Sequence, residues 1–537
     1  MLLLTVGLWG QPAELVLRGG DVYCLDEARS WARAVAVAQG KIVYVGDEIG
    51  VERWLGPTTR VVDLDGRMVL PGFCDSHVHP LLAGLEASRC QLNGVNSLDA
   101  LGQKVKSYAT SHPDLAWIVG SGWALTLFPQ ADPRRQHLDA LVRDRPAALE
   151  SADGHSMWLN TRALQVCGID ASTPDPPGGR IEREPGGYPS GTLREKAIAL
   201  VQPHLPPTTK EQRRDALLWG VQHLNRLGIT SFHEANAGPE DLAAYSELDQ
   251  QGLLTARVVA AQSLAPVDRL KALRDRYRSP RLRPTAVKIF LDGVVEARTA
   301  ALLQPYEGHE TRGELLLSPE DLQQRVGELV QAGFQVHVHA IGDRAVRQAL
   351  DSFEACPGRD LRHTIAHLQL IDPADVPRFA RLGVVANVQA YWAQADEYIT
   401  AFANPLLGPE RAGRQYPLAS LLKSGAVLAG GSDWSVSTAN PLEAIEVALT
   451  RRAPGTRLPG WLPEQRLSLH DALAAYTRNG AFLSHLERET GSVEVGKWAD
   501  LVVLERNLFS VEPEQIHRVR VVQTYLQGQP LLAEVGP

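Results

Sequence analysis

The chain has 537 residues, 44% apolar and 22% charged, with 62 acidic against 54 basic side chains for a formal net charge of −8. This balance excludes disordered and fibrous classes, and the acidic surplus leaves no positive field to recruit nucleic acid. The length allows three or four domain equivalents of about 150 residues, or one barrel with large additions.

The first apolar run, residues 1–9, falls far short of the roughly 20 residues a membrane span needs. No basic residue precedes Arg18, so the expectation is a mature, cytoplasmic start rather than a secretory signal. Five scattered cysteines (Cys24, Cys74, Cys90, Cys167 and Cys356) form no CxxC pair and read as reduced thiols. Over residues 13–70, strand-like runs at 15–18, 34–37, 41–45 and 60–64 are broken by glycine, with no amphipathic helix among them. The same texture returns at 500–504 and 519–526, so residues 1–70 and 488–537 are expected to form one composite β-sandwich domain.

Between these ends, apolar strand-length runs occur at 68–74, 229–233, 257–261, 286–291, 335–339, 363–368, 384–388 and 426–430. Helical patterns fill the gaps at 210–227, 319–332, 343–356 and 373–382. Eight strands alternating with helices predict an α/β fold, a (β/α)8 barrel over residues 71–487. About 155 residues separate the first strand from the second, so residues 85–208 are expected to form a long insertion after strand 1 that covers the substrate site.

Chemistry gathers at the predicted strand ends. His77 and His79 alternate in an extended segment, which lets two imidazoles converge on one cation. His339 closes the fifth strand, His367 lies near the end of the sixth, and Asp433 follows the eighth. Lys288 stands inside the apolar fourth strand, where a lysine is costly unless it is paired, neutral or modified. Carboxyl ends of barrel strands face one cavity, so these six residues are candidates for a single site. His337 and His363 lie deeper in their strands and read as barrel filling or as supports for the ligands. Asp75 could hold a ligand imidazole by its second nitrogen or cap a turn, and His233 could reach the cavity or fill the core.

This combination resembles the metal-dependent amidohydrolase superfamily over almost the whole chain. More narrowly it is similar to the YtcJ-like branch, which includes N-substituted formamide deformylase. The likeness rests on Asp153-Gly154-His155 with Asn160, the Gly178-Gly179-Arg180-Ile181 loop and Tyr188-Pro189-Ser190-Gly191. It rests equally on Lys288-Ile289-Phe290-Leu291-Asp292-Gly293, His339-Ala340-Ile341-Gly342-Asp343 and Gly496-Lys497-Trp498-Ala499-Asp500-Leu501. The resemblance implies two divalent metal ions, zinc first among iron, manganese and cobalt. It implies that His77 and His79 hold one ion, His339 and His367 the other, that an N6-carboxylated Lys288 bridges them, and that Asp433 ligates the first.

A cation-bound water titrates at about 7 instead of 15.7, so the implied reaction is hydrolysis of a C–N bond in a small N-substituted amide or formamide. Asp433 would carry the proton to the departing nitrogen. His155 is the next catalytic candidate, as donor to the substrate oxygen or as pocket wall. Trp123, Trp158, Tyr391, Trp392 and Trp434 are candidates for an aromatic pocket. Carbamate, lactam or ester hydrolysis, deamination and a non-catalytic binding or regulatory barrel stay open as alternatives, because fold does not fix chemistry. The expected partner is a small amide, with neither nucleic acid nor membrane; a homodimer is a family-level expectation only.

Overall fold

Gly72 splits the apolar run over residues 68–74 between two sheets. The computed structural model describes residues 12–357 and 360–531, so the apolar run at 1–9 lies outside the described residues. Met68–Pro71 pairs with Leu501–Leu504 and Leu15–Tyr23 in a sheet drawn from both chain ends. Phe73–Val78 instead starts a parallel sheet. The first barrel strand therefore begins at Phe73, not at Met68 as the run suggested. Both halves are fully buried, which is why the sequence reads as one strand. A Cβ at residue 72 would stand 2.2 Å from Thr230 Oγ1, so glycine is required for this close passage.

The barrel strands are β1 (Phe73–Val78), β2 (Ile229–Ala237), β3 (Arg257–Ser263), β4 (Leu282–Phe290), β5 (Gln335–Ala340), β6 (Thr364–His367), β7 (Val385–Val388) and β8 (Leu428–Gly430). They pair in parallel in sequence order. The ring is nearly closed. Beyond the end of β8, Asp433 N donates to His77 O at 2.7 Å and His79 N donates to Trp434 O at 3.0 Å, joining the last strand to the first. The closure thus runs through the residues that carry the chemistry.

Helices cover the outside. Pro319–Gln331 buries Leu322, Val326 and Leu329 on one stripe, with Ser318 capping its start. Lys210–Arg226 begins in a capping box between Thr209 and Gln212. The helix expected from residue 373 starts at Val376 and ends at Gly383, whose φ of 66° is a left-handed cap. Among the described residues no helix is long and apolar enough to cross a membrane, and all five cysteines are free thiols.

Helix Pro80–Ala87, directly after His79, packs against Lys210–Arg226 through glycine: a Cβ on Gly84 would lie 2.0 Å from Ala216 O. Gly84→Ala gains about 1 kcal/mol of helix propensity but forces a contact with backbone that cannot yield, an overpacking cost of about 1–3 kcal/mol. The expected outcome is a lowered urea midpoint; a raised midpoint would show that the two helices can separate freely.

The terminal sheet has eight strands in the order Gln529–Pro530, Val521–Leu526, Leu501–Leu504, Met68–Pro71, Leu15–Tyr23, Trp31–Ala38 and Lys41–Gly46, with Arg60–Asp63 also pairing with Leu15–Tyr23. One expectation fails here, because a short helix, Glu48–Val51, interrupts the strands. Asp47 caps it by accepting from Gly50 N, and Val51 is buried beneath it. The insertion is a second structural layer. Its six-stranded sheet runs Gly179–Arg183, Pro189–Glu195, Ser156–Leu159, Ala147–Ser151, Ile118–Trp123 and Cys90–Gln91. It has its own apolar cores.

Candidate metal centre

Four imidazoles meet at the carboxyl end of the barrel, and each has one ring nitrogen tied down. His77 Nδ1 lies 2.8 Å from His337 Nε2. His79 Nδ1 lies 3.2 Å from Glu234 Oε1, His339 Nε2 lies 3.3 Å from Gly293 O, and His367 Nδ1 lies 3.0 Å from Gln389 Oε1. Such partners fix which nitrogen is left to bind a ligand. His77 Nε2 and His79 Nε2 are 3.4 and 3.3 Å from the same Asp433 oxygen, Oδ1. The ligand atoms of His77, His79 and Asp433 all lie within 4.8 Å of one another. The His339 and His367 rings stand 4.4 Å apart beside them.

Lys288 reaches this group from β4, with Nζ 3.3 Å from His77 Nε2. Burial pushes its amine down to about 8, against the pull of Asp433 and Glu234. Burial, reinforced by neighbouring groups that include Lys288, also holds His77, His339 and His367 well below the ordinary imidazole range. At neutral pH these rings are neutral donors, the form a cation needs. His79 behaves differently. Burial alone would lower it, but hydrogen bonds to Asp433 and Glu234 outweigh that and raise it to about 9. Neutral imidazoles, a carboxylate and a buried amine on one wall suit a divalent cation chemically.

Two of these residues depart from extended backbone. His367 has φ of 81° and Asp433 has φ of 53°. A non-glycine residue there costs about 1–3 kcal/mol, and such strain concentrates where side chains must be aimed. Asp75 does not hold an imidazole. Its Oδ1 accepts from His77 N at 3.1 Å and Ser432 N at 3.0 Å, so it pins the two segments that carry His77 and Asp433.

The group opens into a cavity of about 1180 Å³ walled by the barrel and the insertion. His155 lines it from the insertion, with Nδ1 2.9 Å from Glu195 Oε2. Burial would depress His155, but Glu195 and Asp153 raise it to about 10, so it is a cation. Glu195 is itself clamped by Thr299 Oγ1, which donates at 2.7 Å. Tyr391 and Trp392 line the cavity, and Trp392 stacks on His367 at 5.4 Å.

Three expected pocket residues lie elsewhere. Trp123 and Trp158 are buried in the insertion's core, donating to Leu149 O and Arg134 O. Trp434 turns away from the cavity and stacks on His223 and Trp219. His363 faces the outer helices, stacked on Phe353, rather than the barrel interior. His233 is enclosed in the barrel. Sequence reasoning missed Glu234, Glu195 and Gln389. Of these only Glu234 left a signal, as a carboxylate beside His233 at a strand end.

A nearly closed parallel barrel with histidine, lysine and aspartate donors at its carboxyl end defines the class of metal-dependent hydrolases. The chain belongs to the amidohydrolase family, whose model matches residues 60–532, and within it to the YtcJ-like branch. It is 29% identical to YtcJ of Bacillus subtilis (strain 168) over 524 residues, 96% of this chain and 98% of that protein. It is 28% identical to N-substituted formamide deformylase of Arthrobacter pascens over 549 residues, 96% and 98% respectively. A crystal structure of an uncharacterised metal-dependent hydrolase from Pyrococcus horikoshii OT3 superposes with a TM-score of 0.76 at 26% identity, covering 93% of this chain and 99% of that one. The protein is a hydrolase acting on carbon–nitrogen bonds.

Proposed function

We propose that the protein hydrolyses the C–N bond of a small N-substituted amide, with a formamide as the leading candidate. The observation that carries this reading is the convergence of His77, His79, Lys288, His339, His367 and Asp433 on one cavity wall. His77, His79 and Asp433 would hold one divalent cation, zinc by donor type, and His339 and His367 a second, with Lys288 carboxylated between them. When bound, the ions would supply activated water and polarise the carbonyl. Asp433 takes a proton at its carboxylate and returns it to the departing nitrogen. His155, kept cationic by Glu195, donates from Nε2 to the substrate oxygen. Tyr391 and Trp392 form the apolar wall for the N-substituent, and the insertion excludes bulk water. The formamide choice is supported by similarity to the Arthrobacter pascens deformylase along nearly the full length.

The described parts of 1–70 and 488–537 are assigned to one sandwich-like unit, those of 71–487 to the hydrolase barrel and 85–208 to its substrate cover. The free thiols support a cytoplasmic setting.

Metal analysis of protein purified without chelators tests the reading. About two ions per chain are expected, as in two-metal hydrolytic sites, with clear loss in Lys288→Ala. A metal-free protein whose stability is indifferent to chelator would refute it. A screen of N-formyl, N-acyl and aryl amides then identifies the substrate.

A further inference from the structure

Three of the four imidazoles at the centre are tied to groups with fixed acceptor character: a carboxylate, a backbone carbonyl and an amide oxygen. His77 differs, because its Nδ1 contacts another imidazole, that of His337 on β5. His77 is 1% exposed and His337 fully enclosed at 0%. A neutral imidazole accepts on one nitrogen only and then carries its proton on the other. With His77 Nε2 turned to a cation, His77 Nδ1–H donates a hydrogen bond to His337 Nε2. The proton of His337 must then sit on Nδ1.

Among the described residues that Nδ1 has no hydrogen-bond partner. The ring beside it is His233 on β2, also 0% exposed, with ring centroids 4.8 Å apart and planes at 63°. Both nitrogens of His233 lack a partner as well. An unmatched buried donor or acceptor is destabilising, and here three adjoin one another. Burial pushes His233 down to about 3, so at neutral pH it is a neutral ring with one accepting nitrogen. A single water accepting from His337 Nδ1–H and donating to that nitrogen matches two of the three, the usual role of a buried water.

We infer that His337, His233 and one internal water form a positioning relay that fixes the tautomer of His77 and so aims its Nε2 at the cation. This rests on the reading that His77 is a metal ligand. Unlike a carboxylate, the relay adds no negative charge beneath the centre. His337 and His233 do not touch substrate; they act through His77.

The test is zinc affinity of the full-length protein, measured by competition with a chromophoric chelator. His337→Leu is expected to weaken binding roughly 10–100-fold, the range for losing a ligand's hydrogen-bond partner. His337→Gln, whose amide oxygen can still accept from His77 Nδ1, is expected to remain within a few-fold of the parent. Equal affinity in His337→Leu and parent, or equal weakening in the Leu and Gln variants, would overturn the relay. Should His337→Leu not fold, a zinc-loaded parent crystal at atomic resolution decides. A water bonded to both His337 Nδ1 and a His233 nitrogen supports the relay, and its absence overturns it. A parent that binds no zinc at all overturns the metal reading itself, a result distinct from zinc-binding variants that match the parent.

Discussion

Asp433→Asn is expected to lower kcat on the amide substrate by about 10²–10⁴-fold, the span of a lost general acid–base group, while the protein stays folded. Asparagine has the same shape and tolerates the left-handed backbone, φ of 53°, that residue 433 adopts. Its amide oxygen can still sit near His77 and His79, as the carboxylate does at 3.4 and 3.3 Å. It cannot accept and return a proton. Binding of the amide's N-substituent is untouched, so KM should change far less than kcat. Metal content measured on the same preparation separates the two roles of Asp433. A kcat within 10-fold of the parent with full metal content would remove Asp433 from proton transfer.

Most of this centre was legible because barrel geometry converts strand order into spatial convergence. His77 and His79 alternate, Lys288 is conspicuous in an apolar strand, and His339 and Asp433 sit at strand ends. What failed was face assignment wherever the backbone breaks alternation. On β2 the register shifts between Phe232 and Glu234. A bulge re-aims side chains, so Glu234 lines the cavity and holds His79 while His233 is enclosed. Just before β6, His363 stacks outward on Phe353, and on β6 Ile365 joins the outer core, so regular alternation would carry residue 367 outward too. The φ of 81° at His367 returns its ring to the cavity.

The aromatic residues were misplaced for another reason. Trp123 adjoins Gly122, which does line the cavity, but the insertion's own sheet buries the indole and takes its N–H. Trp434 follows Asp433 directly, yet its ring completes a stack with His223 and Trp219 on helix Lys210–Arg226. Large side chains go where a sheet or helix face needs covering, and that face belongs to tertiary structure. A spacing rule sees only the chain. Glu195 was invisible for the same reason, because its partner His155 lies on a neighbouring segment of the insertion and Thr299 lies beyond β4.

The largest stability effect is expected at the opposite end of the barrel. Arg257, the first residue of β3, donates to Asp500 at 2.6 and 3.3 Å, and both side chains are buried. Asp500 also accepts from Gln527 N, and its carbonyl accepts from Gly72 N, where the chain passes from the terminal sheet into β1. The pair therefore couples the terminal sheet to the barrel floor. Asp500→Ala strands a guanidinium in the interior, beside the Trp498 ring 5.1 Å away. Breaking one side of a buried pair costs about 3–5 kcal/mol, visible as a large drop in the denaturant midpoint. Replacing both residues, as in Arg257→Met with Asp500→Leu, removes the stranded charge and is expected to recover part of that loss. Catalytic constants of the folded fraction should hold, because residues at the amino-terminal face of a barrel serve stability and not chemistry. A single variant as stable as the double one would show that solvent already reaches Arg257, and the coupling of sheet to barrel would then have to rest on other contacts, such as Thr524 Oγ1 donating to Asn225 O at 2.7 Å.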